Sequence, residues 1–198
     1  MTGTPLLIKF HSRTTAELAH AVERVATAMQ ASPRGCFRAL ADGEIYAYLA
    51  SAQSAERCIA EAARYAESAR RELEASALSL NVIDLLIERS GPGALTASNQ
   101  PTPFHYVVET DVEGQHEQEL NAWYDTEHLP GLASVPGAAR ARRYRNRNGS
   151  PRYLACYDLA GPEVLERPEW LAVRGTEWSA RVRPTFRNPK RTMFQRLA

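Results

Sequence analysis

The sequence predicts an α+β protein built from two successive βαββαβ units. Three observations carry this expectation. Short apolar runs alternate with stretches of helical periodicity in the order β-α-β-β-α-β, and the order occurs twice within 198 residues. A single segment rich in Gly, Pro, Ser and Thr, Ser90 to Pro103, divides the chain nearly in half. Each half, as a four-stranded antiparallel sheet with two helices on one face, leaves its other face to be covered. Pairing the two open faces would bury both and create a barrel-like interior suited to a small molecule.

In the first half, Pro5-Leu6-Leu7-Ile8-Lys9-Phe10-His11 is an apolar run of strand length. It leads into Ser12-Arg13-Thr14-Thr15, a group suited to capping a helix. From Ala16 to Gln30 the residues Leu18, Val22, Val25 and Met29 recur at spacings of three and four, so one stripe of an Ala-rich helix is buried and His20 lies off it. Residues 35–41 and 44–51 read as two strands joined at Asp42-Gly43, a dipeptide that tolerates positive φ. Ser51 to Ala77 reads as one long helix with Ile59, Ala62, Ala63 and Ala66 on its packing face, and residues 78–88 close the unit with a strand.

The second half repeats the order. Phe104 to Thr110 is a strand, residues 115–128 a helix, Ala138 to Arg145 and Tyr153 to Tyr157 two strands around an Asn148-Gly149 turn. Pro162 to Arg183 is helical but interrupted at Pro168 and Gly175, and Arg191 to Leu197 is the last strand. The expected organisation is therefore residues 1–90, a linker 91–103, and residues 104–198. No convincing residue identity links the halves.

Composition narrows the function. Formal net charge is +1, so no global field recruits nucleic acid or an anionic membrane. No stretch approaches the roughly 18 apolar residues that span a bilayer, and no signal-peptide pattern develops after MTGTPLLIKFH. Cys36, Cys58 and Cys156 are scattered and lack metal-ligand spacing, which suits free thiols in a reducing cytoplasm and no metal. There is no GxGxxG or P-loop, so no nucleotide cofactor is expected.

The most informative stretch is Asn121 to Pro130. On an α-helix Asn121, Tyr124, Asp125 and His128 sit at i, i+3, i+4 and i+7, placing four hydrogen-bonding side chains on one face, with Leu120 and Trp123 on an adjacent apolar sector. Histidine exchanges protons near neutrality, and a carboxylate one turn away fixes its tautomer. His128 with Asp125 therefore reads as a base and its orienter, with Tyr124 donating to substrate. The competing reading is that His128, just before Leu129-Pro130, caps the last carbonyls of its helix.

These residues carry a resemblance. Trp123-Tyr124-Asp125-Thr126-Glu127-His128-Leu129-Pro130, then Val135-Pro136-Gly137 and Ala141-Arg142-Arg143-Tyr144, resembles the pattern of the ferredoxin-like dimeric α/β-barrel superfamily, near its EthD-like and uncharacterised members. Trp178-Ser179-Ala180-Arg181 with Pro184, Arg187-Asn188 and Arg191 is similar to the same group, so the resemblance covers about residues 104–198. It implies a pair of βαββαβ units, usually a homodimer. Here residues 1–90 would supply the second unit covalently, as an intramolecular pseudo-dimer, alone or in a further homodimer. The first half has no counterpart of Trp123 to His128, which implies one site per chain. The superfamily includes cofactor-free monooxygenases, isomerases, cyclases and haem-handling enzymes, so the fold does not select a reaction.

Other residues complete the expected site. His105 alternates with Phe104 and Tyr106 and is either an exposed strand histidine or, as in some members of the superfamily, a second catalytic group. Arg140, Arg142, Arg143, Arg145, Arg147 and Arg152 form a basic hairpin, read either as an anion site containing Arg143 or as a solvated face balanced by Glu113, Glu117 and Glu119. Trp170, Trp178 and Phe186 are expected to pack the core or line the cavity. The expected function is cofactor-independent acid/base chemistry by His128 on a small cyclic or aromatic compound, with Asp125, Tyr124, Asn121, Trp123, His105, Arg143 and Trp178 around it. The alternative is a non-catalytic ligand-binding, haem-binding or structural protein.

Overall fold

The computed structural model describes residues 3–12, 18–92 and 102–197. They form two compact units: Met1–Asp84 with Asn146–Gly149 and Phe194–Ala198, and Leu85–Arg145 with Ser150–Met193. Most of the expected linker, and the Arg13 to Thr15 part of the expected helix cap, lie outside the described residues.

The first unit contains β1 (Thr4–Ser12), α1 (Leu18–Ala28), β2 (Ala31–Ala39), β3 (Ile45–Ser51), α2 (Ala55–Ala60), α3 (Ala62–Glu72) and the beginning of β4 (Ala75–Ser90). Its strand order is β4-β1-β3-β2, with Ile8 opposite both Ala47 and Leu80 in antiparallel register. Residues 194–196 of the last strand add to the free side of β2, Phe37 opposite Arg196. The Asp42-Gly43 turn forms as expected: Gly43 has φ +75°, and the Ala39 amide donates to the Glu44 carbonyl at 2.8 Å. Leu18, Val22, Val25 and Met29 are buried against Ile8, Phe10 and Leu49, and His20 is exposed.

The expected long helix 51–77 is corrected in two places. It breaks at Glu61, whose amide returns to the carbonyls of Arg57 and Ile59, although the sequence holds neither Gly nor Pro there. It ends at Glu72 because Glu74 adopts φ +48° and Ala75 and Ala77 pair with Ser12 and His11; sheet pairing overrides the helical preference of alanine. Cys58, Tyr65 and Ala69 are the buried residues of these helices, whereas Ala63, expected on the packing face, is exposed. Longer side chains reach the core where the alanine stripe leaves room.

The second unit contains the end of β4, then β5 (Phe104–Val112), α4 (Gly114–Trp123), a π-helical turn (Tyr124–His128), α5 (Leu129–Ala133), β6 (Ala138–Asn146) and β7 (Tyr153–Leu159). A 3₁₀ turn (Pro162–Glu166), α6 (Pro168–Arg174), α7 (Glu177–Val182), a second 3₁₀ turn (Arg183–Thr185) and β8 (Phe186–Arg196) complete the chain. The interruptions at Pro168 and Gly175 fall where the sequence places them. The strand order is β8-β5-β7-β6, the same as in the first unit, and the fold class is mixed α+β with antiparallel strands.

Register assigns the two faces of this sheet. Tyr106 lies opposite Tyr157, which lies opposite Ala141; His105 lies opposite Asp158, which lies opposite Arg140. The first set meets the helices, where Leu120, Trp123, Leu129, Leu132, Leu159 and Trp170 form the core. On β8 the alternation is reset at Asn188, whose φ of +49° puts Phe186 and Arg191, five residues apart, beside the same cavity.

Candidate active site in the second unit

The site is set by the turn that joins α4 to α5. Residues 124–128 are wound as a π-helix, and the Leu129 amide donates to the Tyr124 carbonyl, an i→i+5 bond. Widening the coil brings residues five apart into line. The Trp123 and His128 rings are stacked at 4.0 Å with planes 21° apart, and Tyr124 meets both edge-on, at 4.6 Å and 5.5 Å. At 3.6 residues per turn Trp123 and His128 would diverge, and the expected face of Asn121, Tyr124, Asp125 and His128 is overturned for the same reason.

Each of these residues has a definite place. Trp123, Tyr124 and His128 are buried. Asp125 is exposed, and His128 Nδ1 is sealed with no hydrogen-bond partner among the described residues, so Asp125 does not orient the imidazole. The helix continues through His128 to Ala133, so the capping reading is overturned as well. Glu127 ties this turn to α7. The Thr176 hydroxyl donates to its Oε1 at 2.7 Å, while the same hydroxyl oxygen caps α7 by accepting from the Ser179 amide at 3.1 Å.

Trp123, Tyr124, His128 and Leu132 form one wall of a cavity of about 380 Å³, counted to its open mouth. Tyr106, Val108 and Tyr157 of the sheet and Trp170 and Phe186 beyond it form the rest, with Arg174, Arg183 and Arg191 also lining it. Most of that volume is the open mouth: the part a water-sized sphere can occupy is only about 30 Å³, far below the roughly 300–1,000 Å³ of small-molecule sites. The walls are largely aromatic: Trp170 meets Tyr106 at 6.3 Å and Tyr157 at 5.2 Å, both edge-on.

Burial dominates the acid-base character of the lining. It pushes the His128 imidazolium down to about 3, with the Arg183 and Arg174 charges adding to the effect, so the ring is neutral at physiological pH. Burial likewise pushes the Tyr124 phenol up to about 12 against the opposing pull of Arg143. The cavity thus presents a neutral imidazole and a protonated phenol among apolar rings.

Several expected members of the site are elsewhere. Arg143 is buried on the far side of Tyr124, its guanidinium 4.5 Å from the ring centres of both Tyr124 and Tyr153, and it donates to Asn121 Oδ1 at 2.7 Å. Arg143 and Asn121 therefore serve one another and do not line the cavity. Trp178 is partly buried against the unit's core and is likewise outside it. His105 is neither exposed nor beside the cavity: it is fully buried on the opposite face of β5, Nδ1 at 2.7 Å from Asp158 Oδ1. Arg142 pairs with Asp158 at 2.8 Å and Arg140 approaches at 3.7 Å. Burial alone would raise the Asp158 carboxyl, but Arg142, His105 and Arg140 outweigh it and hold it well below the usual carboxylate range.

The basic hairpin is thus not one solvated face. Arg152 does pair with Glu117 at 3.1 Å, but Glu113 and Glu119 are engaged by Arg187 and Arg181. Arg174 and Arg183, with Tyr106 and Tyr157, join the site without a signal in the sequence, and the sequence marks Arg191 only through the family resemblance. Strand alternation already separates Tyr106 from His105, but which face meets the helices depends on packing.

No family model matches the chain, and no curated protein matches it. Solved structures do. An anthrone oxidase-like protein superposes with a TM-score of 0.64 at 14% identity, covering 100% of this chain and 92% of its own. A candidate monooxygenase from Lactobacillus acidophilus gives 0.63 at 11%, covering 98% and 94%. A haem-degrading enzyme from Listeria monocytogenes gives 0.52 at 6%, covering 96% and 98%. Neighbours of this kind have the ferredoxin-like, dimeric α/β-barrel fold, and at these identities the likeness is one of fold.

Proposed function

We propose that the second unit is the active site of a cofactor-independent enzyme that moves a proton on a small cyclic or aromatic compound, with His128 as the acid/base. The observation that supports it is a neutral imidazole stacked on Trp123 in the wall of an aromatic cavity. The bound compound lies against Trp170, Tyr106 and Phe186, and the Tyr124 hydroxyl, held protonated, donates to a carbonyl or phenol oxygen. His128, a weak base because burial disfavours its imidazolium, takes a proton only from a correspondingly acidic C–H or O–H, and the resulting carbanion or oxyanion is the starting point of isomerisation, cyclisation, elimination or oxygenation. The fold's neighbours, an oxidase-like protein and a candidate monooxygenase among them, are compatible with this class of chemistry. The first half, residues 1–90, is assigned the structural part of a tandem pseudo-dimer.

Haem is the cofactor that a haem-degrading neighbour implies, and the residues present do not fit it. A ligating histidine holds its second ring nitrogen on an acceptor, whereas His128 Nδ1 has none among the described residues. The cavity also lacks the breadth a tetrapyrrole and its axial ligand require. The bare Nδ1 does favour a second reading, ligand binding without turnover, since a general base is ordinarily oriented by a partner.

Turnover of mono- to tricyclic phenols and ketones by the purified protein, compared with His128→Ala and Trp123→Phe, separates the readings. The enzyme reading expects His128→Ala to lose at least about a hundredfold in rate while still binding the compound. Unchanged turnover in His128→Ala refutes the assignment, and binding with no turnover in either protein supports the second reading.

A further inference from the structure

We propose that the compound held in this cavity is an anion, an aromatic or cyclic carboxylate whose charged group is received by Arg174, Arg183 and Arg191. This rests on the reading of the cavity as a binding site for an aromatic compound and adds its charge. Three guanidinium groups from three elements, α6, the 3₁₀ turn 183–185 and β8, converge on one cavity walled mainly by aromatic rings. None of them has a carboxylate partner among the described residues.

Pairing is otherwise common in this chain. Arg24 pairs with Glu72, Arg64 with Glu61, Arg142 with Asp158, Arg152 with Glu117 and Arg187 with Glu113. Gathering three like charges around one mouth carries a repulsion that a bound anion relieves. The crowding is felt by the groups themselves: burial, then Arg174 and Arg191, makes Arg183 easier to deprotonate, and all three arginines oppose the effect of burial on the Tyr106 phenol. The polar contact between Arg183 and Arg174 is a long one, Arg183 Nη1 donating to the Arg174 carbonyl at 3.5 Å. The forks are otherwise open to a ligand, and guanidinium matches a carboxylate with two parallel hydrogen bonds.

A carboxylate seated there also changes His128. After burial, Arg183 and Arg174 are the influences that disfavour its imidazolium. Neutralising them by a bound anion removes their part of the effect on the ring and leaves the larger part, burial, in place.

The test uses matched pairs: benzoate, 2-naphthoate and anthracene-2-carboxylate against their uncharged primary amides, with affinities followed by tryptophan fluorescence and calorimetry. In the intact protein at least one acid binds roughly tenfold or more tightly than its amide, a difference of about 1.4 kcal/mol. That preference falls to within about threefold in Arg174→Gln and Arg191→Gln, while amide affinity is unchanged. Raising the salt concentration weakens the acid and leaves the amide. Equal affinity for acid and amide overturns the anion inference and leaves the aromatic cavity standing. Failure of every acid and amide to bind overturns both.

Discussion

His128 makes the stability of the second unit depend on acidity in a window where few other groups act. Its imidazolium is disfavoured by burial, with a folded value of about 3 against 6.5 for a free side chain. Between those values the unfolded chain binds a proton that the folded one does not, so stability is full above pH 6.5 and falls as the pH drops toward 3. From pH 7.5 to pH 5.0 the loss is about 2 kcal/mol, growing to about 4 kcal/mol at pH 3. At pH 5 the strongly shifted carboxyl of Asp158 is still ionised in both states, so the early part of the loss belongs to the imidazole. All three tryptophans, Trp123, Trp170 and Trp178, are in the second unit, so urea unfolding followed by tryptophan fluorescence reports on that unit. His128→Gln and His128→Leu should lose about 2 kcal/mol less than the parent between pH 7.5 and 5.0, and the difference cancels the titration of the other histidines. Parallel losses in parent and variants would mean that His128 is protonated as easily folded as unfolded, and the account of a sealed neutral ring would fall.

Single contacts elsewhere in the second unit give three more expectations. Asn121→Ala removes the acceptor of a buried guanidinium and should cost about 1–3 kcal/mol, whereas Arg143→Met, which takes away the charge, should be close to neutral; urea midpoints of the two variants decide it. Gly137→Ala should cost about 1–3 kcal/mol in thermal unfolding, because φ is +92° and a Cβ would stand 2.7 Å from Val164 Cγ2. Asp158→Asn leaves Arg142 and His105 facing an uncharged partner and should destabilise by about 3–5 kcal/mol, read by chemical denaturation at neutral pH.

The fold is largely legible in the sequence because its signals are local and repeated. Val22 and Val25 mark a helix face, Asp42-Gly43 a hairpin, and Pro168 and Gly175 the breaks in the last helical stretch. Of the candidate site, only the stretch of chain that lines the cavity is legible. Trp123, Tyr124 and His128 stand where the motif places them, but their mutual geometry depends on a π turn that residues 124–128 do not announce. Asp125 falls beside His128 under α-helical spacing and is exposed under the actual winding. The cavity arginines carry no such mark because charge pairing is a matter of tertiary neighbours: Arg152 finds Glu117, Arg174 finds no carboxylate among the described residues, and nothing in the sequence tells the two apart. His105 is obscure for a related reason, since a buried histidine is tolerated only where something like Asp158 meets it, and that partner is 53 positions away.

The addition of residues 194–196 to β2 has a consequence for the order in which the protein matures on the ribosome. The first unit is the first to be synthesised, yet two of its parts come late: Asn148, whose Oδ1 accepts from the Val82 amide at 2.7 Å, and the strand end that opposes Phe37 and Arg38. Until residues 194–196 emerge, the outer edge of β2 lacks this neighbour, and a bare strand edge invites pairing with other nascent chains. Its composition is suited to that interval. Pro33 withholds a donor, a register shift falls between Pro33 and Gly35, and Arg34 and Arg38 place charge along the strand, so the edge waits for residues 194–196 while discouraging strangers.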